Sequence, residues 1–170
     1  MIVFKLFRPR HIVRRFDELN CEVLQHRGIR GVMIDLDNTL VPWPSIDIDP
    51  AAATWVQCLQ AEGIQVCLVT NALHRTRART AAEPLGVPWV HHAAKPLWKG
   101  LRRGMKILGT TPEETAMVGD QVFTDIFGGN LLGLFTVLVD PLGEQDAFLT
   151  TILQRPFERP FRRFREAMKR

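Results

Sequence analysis

Between residues 31 and 139, short apolar runs alternate with segments whose apolar residues recur at helical spacing. No other feature constrains the fold as tightly. Val32 to Leu36 is a continuous apolar run, bounded by Gly31 and by Asp37-Asn38. Pro50 suits the first turn of a helix in which Ala51, Ala52, Trp55, Val56 and Leu59 recur until Gly63. Gln65 to Val69 is strand-like, Arg75 to Leu85 reads as a helix closed by Gly86, and Val87 to Val90 is a third strand. Leu97 to Leu108 is helical up to Gly109, and Thr115 to Val118 is a fourth strand. Val122 to Leu132 is helical again, and Leu134 to Val139 is a fifth strand. Strands that are apolar throughout and separated by helices predict an α/β fold, a single Rossmann-like domain whose parallel sheet is flanked by helices. A length of 170 residues accommodates one such domain with a full core.

In open parallel sheets, ligands bind outside the carboxyl ends of the strands. The first strand ends in Asp35-Leu36-Asp37-Asn38-Thr39 and the second in Thr70-Asn71. Lys95-Pro96 follows the third, and Gly119-Asp120 closes the fourth, with Asp125 five residues further on. Each residue type has work to do in phosphoryl transfer. A carboxylate attacks phosphorus when a cation offsets the repulsion between the two anions. Magnesium prefers oxygen ligands and keeps positions for water and phosphate, which suits Asp35, Asp120 and the main-chain carbonyl of Asp37. Thr70 and the amides beside it, Asn71 included, suit phosphoryl oxygens, and Lys95 neutralises the charge that spreads in the transition state. Asp37 becomes a general acid and base if the chain turns at Asn38-Thr39. A lone Asp-x-Asp is usually a solvated loop. Polar stations at four successive strand ends, in this order, are far harder to obtain by chance.

These stations resemble the motifs of the haloacid dehalogenase superfamily. DLDNT is similar to its first motif, with Asp35 and Asp37 as nucleophile and acid/base. Val69-Thr70 is similar to the second, Lys95-Pro96 to the third, and GDQVFTD, from Gly119 to Asp125, to the fourth. The resemblance covers about residues 28–140 and implies a Rossmann-like sandwich, with Mg²⁺ as cofactor and an aspartyl-phosphate intermediate. Asp35, Asp37 and Asp120 would hold the metal, with Thr39 and Asp125 in support. A closer likeness is to the YqeG family of subfamily IIIA, on GIRGVMIDLDNTLVPW, AAKPLWKGLRR and VGDQVFTDIFGGNLLG. Relatives of that family dephosphorylate phosphatidylglycerophosphate, so the resemblance implies a lipid phosphate as the candidate substrate. One position departs from the pattern: Ala72 stands where a second Asn is frequent, a change that bears on specificity rather than chemistry.

Spacing adds an independent expectation. Asn38 to Pro50 is 13 residues, and His91 to Ala94 is four. Neither gap can house a cap domain, so the site should be open, suited to a bulky or surface-presented substrate or completed by another subunit. Trp43, between Pro42 and Pro44, either lines the approach to the site or plugs its own loop. His91 and His92 read as supporting or exposed rather than catalytic. Gly128, Gly129 and Asn130 read as a close-packing stretch.

The net charge of +4 conceals an asymmetry: residues 1–15 and 155–170 carry +5 each and the body carries −6. Phe157, Phe161, Phe164 and Met168 recur at helical spacing among Arg159, Arg162, Arg163 and Arg165. Phe4, Leu6 and Phe7 lie among Lys5, Arg8 and Arg10. The domain is thus expected to span 1–170, with basic amphipathic extensions around the core. Either extension packs on the body or meets an anionic membrane peripherally. No RNA-binding signature accompanies the arginines, and no DNA is expected. No apolar run approaches the ~18 residues of a membrane span, and Lys5, Arg8 and Arg10 interrupt any signal-peptide core. The expected location is therefore the cytoplasm or the inner face of its membrane. Cys21, Cys58 and Cys67 lack metal-ligand spacing and read as buried thiols. The leading expectation is a Mg²⁺-dependent phosphomonoesterase acting on a lipid phosphate. The alternatives are a soluble nucleotide or sugar phosphatase, or an RNA- or assembly-binding protein on the same scaffold.

Overall fold

The apolar runs become strands of one parallel sheet in the computed structural model, which describes residues 5–143. The strands are β1 (His11–Ile12), β2 (Gly31–Ile34), β3 (Gln65–Val69), β4 (Trp89–Val90), β5 (Thr115–Gly119) and β6 (Phe135–Leu138). They lie in the order β1-β6-β5-β2-β3-β4, and every pairing is parallel. The helices are α1 (Cys21–Gln25), α2 (Pro50–Ala61), α3 (Arg75–Ala82), α4 (Trp98–Leu108) and α5 (Gly128–Leu131).

Alternation along each strand divides the core between two faces. On one, Val32, Ile34, Val66 and Leu68 pack with Trp55, Val56 and Leu59 of α2 and with Ala81 and Ala82 of α3. On the other, Met33, Cys67, Val69 and Met117 meet Leu101, Met105 and Leu108 of α4. This is the expected sheet between helical layers. Among the described residues no separate cap domain interrupts it, and no helix is long and apolar enough to cross a membrane.

Three features differ from the sequence-based expectation. First, β1 is an edge strand that the sequence reading did not assign. Only His11 and Ile12 pair with β6, too few to leave a periodic signal. Second, the helix expected over 122–132 is split. Val122–Phe127 forms a wide π-type turn, with Ile126 N–H donating to Gln121 O at 3.3 Å, and α5 follows. Wide turns of this kind gather at functional sites, and this one turns Asp125 inward. Third, Cys67 is buried but Cys21 is half-buried and Cys58 exposed, so the expectation of three buried thiols holds only for Cys67. Cys58 lies on the outer side of α2, whose inner side is taken by Ala52, Trp55, Val56 and Leu59.

Gly128 and Gly129 act as close-packing residues. A Cβ on Gly128 would stand 3.0 Å from Pro96 Cα, and one on Gly129 would stand 2.7 Å from Thr136 Cγ2. The N-terminal segment packs here as well. Phe7 stacks on Phe127 with ring centroids 4.5 Å apart, and Asn130 Nδ2 donates to Leu6 O and Arg8 O at 2.7 and 3.0 Å. Lys5, Arg8 and Arg10 nonetheless remain exposed. The expected C-terminal amphipathic stretch, with Phe157 and Arg159 to Met168, lies outside the described residues.

Burial pushes the Cys67 thiol up to about 12, so the nucleophilic thiolate is absent near neutral pH. Alkylation of the folded protein at pH 8, mapped by mass spectrometry, is therefore expected to mark Cys58 and spare Cys67 until denaturant is added. Labelling of Cys67 at the rate of Cys58 would show that the β3 layer is not closed.

Candidate active site

β2 and β5 are neighbours with Ile34 opposite Val118, so the residues that follow them emerge side by side. Asp35 N–H donates to Val118 O at 2.9 Å and is the last residue held by the sheet. The chain then turns: Leu36 O accepts from the N–H groups of Leu40 and Val41 at 3.0 and 3.2 Å. Asn38 occupies the left-handed region at φ 62°, which Asn tolerates better than most residues. Its Oδ1 accepts from Trp43 N–H at 3.0 Å. This is the turn expected at Asn38-Thr39.

Lys95 joins two of the carboxylates. Its Nζ donates to Asp35 Oδ1 at 2.6 Å and to Asp125 Oδ1 at 2.7 Å, and all three residues are buried. Burial opposes the lysine charge, but Asp125 and Asp35 outweigh it and hold the ammonium above the ordinary lysine range. Gln121 N–H donates to the second oxygen of Asp125 at 3.1 Å, so both oxygens of that residue are engaged. The Thr39 hydroxyl donates to Asp120 Oδ1 at 3.2 Å and accepts from Asp120 N–H at 3.1 Å. Burial, then the charges of Asp35 and Asp125, raise the Asp120 carboxyl well above the usual range.

Oxygens of Asp35, Asp120 and Asp125 lie within 4.8 Å of one another. Three buried carboxylates thus share one ammonium, an imbalance that a divalent cation would relieve. The donors are hard oxygens, as Mg²⁺ requires. Asp35 and Asp120 each keep an oxygen with no protein donor among the described residues, so the residues present fit such an ion. The Asp37 side chain lies outside this cluster; the expectation for that residue concerned its main-chain carbonyl.

Thr70 is buried, and its Oγ1 accepts from Ala72 N–H at 3.0 Å. The Asn71 side chain holds the main chain of Lys95. Its Nδ2 donates to Lys95 O at 3.0 Å and its Oδ1 accepts from Lys95 N–H at 2.8 Å, which fixes the loop presenting the lysine. His92 is exposed, and His91 stands beside Trp89 with ring centroids 5.4 Å apart.

Arg77, in the first turn of α3, was missed by the sequence reading. Its Nε donates to Asp37 Oδ1 at 2.8 Å, while Nη1 and Nη2 donate to Pro44 O and Ser45 O at 3.0 and 2.8 Å. Its guanidinium carbon lies 4.6 Å from the centroid of Trp43, which therefore serves as a prop under Arg77. Burial, then the charge of Asp35, raises the Asp37 carboxyl; Arg77 opposes both without cancelling them. One signal was available. Cations in a helix's first turn face the positive end of its dipole, so Arg75 and Arg77 there call for a reason.

Residues 22–133 match the family of haloacid dehalogenase-like hydrolases. The chain belongs to that family. The hydrolase is 36% identical over 166 residues to the probable phosphatase YqeG of Bacillus subtilis, covering 98% of this chain and 94% of that protein. It therefore stands among the family's phosphatases. It is 30% identical over 156 residues to the chloroplastic/mitochondrial phosphatidylglycerophosphate phosphatase 1 of Arabidopsis thaliana, covering 86% of this chain but only 45% of that protein. The 3-deoxy-D-manno-octulosonate 8-phosphate phosphatase structure from Yersinia pestis superposes with a TM-score of 0.53 over 72% of this chain and 70% of that one. At 19% identity it shows a common fold.

A Cβ on Gly119 would collide with the carboxylate of Asp125. Gly119→Ala must therefore displace Asp125, and Lys95 with it. The expected outcome is a folded protein whose activation by divalent cation is weakened by about 10–100-fold, the range for residues that orient metal ligands. Titration of activity against metal, with circular dichroism as control, checks this; an unchanged metal dependence would show that the cluster tolerates the shift.

Proposed function

We propose that the protein is a Mg²⁺-dependent phosphomonoesterase that works through an aspartyl-phosphate on Asp35 and acts on a lipid phosphate. The observation that carries this reading is the shared ammonium: Lys95 fixes one oxygen of Asp35 at 2.6 Å and leaves the other to react. The bound metal would supply charge neutralisation between nucleophile and phosphate, held by Asp35, Asp120 and the carbonyl of Asp37, with Asp125 behind them. Asp35 forms the new oxygen–phosphorus bond while the ester bond breaks. Asp37, whose carboxyl burial and the charge of Asp35 raise above its ordinary value, protonates the leaving oxygen. Thr70 donates its hydroxyl to a phosphoryl oxygen and Lys95 neutralises the charge that develops. Water then attacks phosphorus, Asp37 takes its proton, and inorganic phosphate leaves with Asp35 restored.

Two observations favour a lipid phosphate. No cap domain encloses the site among the described residues, and the Arabidopsis relative is named for phosphatidylglycerophosphate. The proposed place of action is the cytoplasmic face of a membrane, reached by peripheral contact.

Asp35→Asn is expected to lower turnover by at least about a thousandfold with the fold intact, because an amide cannot attack phosphorus. Near-wild-type turnover in the folded variant would falsify the nucleophile assignment. A chelator is expected to abolish activity, Mg²⁺ to restore it and Ca²⁺ to restore little, while Asp120→Ala raises the Mg²⁺ requirement. Phosphatidylglycerophosphate in mixed micelles should outcompete soluble phosphate esters in a single-pot turnover assay. Preference for a sugar or nucleotide ester would keep the chemistry and replace the substrate.

A further inference from the structure

The loops that carry the site also carry much of the large apolar surface that the described residues leave in water. Ile46, Leu73, Leu97, Trp98, Ile107 and Leu131 are the exposed large hydrophobic residues, and the first four follow β2, β3 and β4 at their carboxyl ends. Leu73 and Leu97 are 58% and 61% exposed. The three loops are tied together. Arg77 bonds Pro44 O and Ser45 O beside Ile46; His92 N–H donates to Ala72 O at 3.0 Å beside Leu73; and Asn71 holds Lys95, two residues before Leu97. The apolar tips therefore stand on joined loops at the carboxyl edge of the sheet, where the mouth of the site lies.

Exposed cations are interleaved with these tips. Arg102 and Lys99 lie over the Trp98 ring at 4.5 and 5.9 Å, and Arg75 opens α3 two residues after Leu73. Among the described residues none of the three is ion-paired with an acid. The exposed acid on the Ile46 loop, Asp47, accepts from Ser45 Oγ at 3.3 Å.

We propose that this rim docks on an anionic lipid bilayer, with Ile46, Leu73, Leu97 and Trp98 entering the headgroup layer and Arg75, Lys99 and Arg102 meeting lipid phosphates. The apolar residues stand on three separate loops rather than along one helix face or strand edge. They match an interface that is anionic outside and apolar beneath, where Trp is favoured. The docking rests on the lipid-phosphate reading for its purpose: it turns the mouth toward headgroups that remain in the bilayer.

The test uses the full chain and vesicles of phosphatidylcholine, with or without phosphatidylglycerol and free of any phosphomonoester. Bound protein is read by sedimentation, and insertion of Trp98 by quenching from brominated acyl chains. The expected result is binding to anionic vesicles only, weakening as salt rises. Quenching should be diminished in Trp98→Phe. Partitioning should fall about tenfold or more in Lys99→Glu/Arg102→Glu and in Leu73→Ser/Leu97→Ser/Trp98→Ser. Both multiple variants should hydrolyse a soluble aryl phosphate as wild type does, which certifies their fold. The proposal is overturned by absence of binding, by equal binding to neutral vesicles, or by a wild-type dimer that the rim variants dissociate. It is also overturned if the rim variants bind normally and only Gln at Arg159, Arg162, Arg163 and Arg165 abolishes binding. Vesicle binding without lipid-phosphate turnover would keep the docking and remove the substrate. Turnover in micelles without vesicle binding would do the reverse.

Discussion

The site depends on one buried ammonium. Carboxylate oxygens of the buried Asp35, Asp120 and Asp125 are brought within 4.8 Å of one another, and carboxylates so placed repel strongly when nothing intervenes. Lys95 intervenes at 2.6 and 2.7 Å from two of them. Removing it would leave uncompensated buried charge, which is why burying such an ion with its partners is tolerable and burying it alone is not. The lysine arrives on a loop in which His92 and Ala94 adopt φ 46° and 55°. For residues with a Cβ this conformation is costly, by about 1 kcal/mol each or more. Asn71 offsets it by binding both the N–H and the carbonyl of Lys95, so a polar residue at a strand end is turned toward main chain.

Parallel pairing then supplies the convergence. Because β2 lies between β5 and β3, the residues after Ile34, Val118 and Val69 leave the same edge of the sheet in adjacent positions. Gly119 lets the next layer close over them: with no Cβ there, the carboxylate of Asp125 reaches back to Lys95 from the wide turn that follows β5. A regular α-helix beginning at Val122 was the simpler expectation from the apolar spacing. Pattern reports which face is apolar; it does not report that the turn is wide or that the Asp125 side chain meets a buried lysine.

The same distinction explains what was legible and what was not. β2, β3, β5 and β6 are buried over most of their length, so their composition is nearly continuous in apolar residues and could be read directly. Asp35, Thr70 and Asp120 follow because they stand directly after such runs, while Lys95 stands five residues beyond the two-residue β4. β1 has only His11 and Ile12 and its half-buried edge leaves no periodicity. Arg77 lies in α3, beyond α2 and β3 and 40 residues from Asp37, and only the fold brings the two together. Cys58 was misplaced because a cysteine on a helix suggests burial by type, while its position on α2 decides exposure.

Arg77 links the chemistry to the surface. One guanidinium binds Asp37, the carbonyls of Pro44 and Ser45, and the face of Trp43, so the proposed acid and the loop bearing Ile46 are held by the same group. In a phosphatase with a cap domain, closure of a second domain expels water and aligns the leaving group. In this chain the described residues have no such domain, and water must be displaced by what lies against the rim. A surface pressing on Ile46, Leu73, Leu97 and Trp98 would meet loops already cross-linked to Asp37 and Lys95. The proposed docking and the proposed chemistry would then be coupled through contacts no longer than a hydrogen bond, with Arg77 and Asn71 as the two joints.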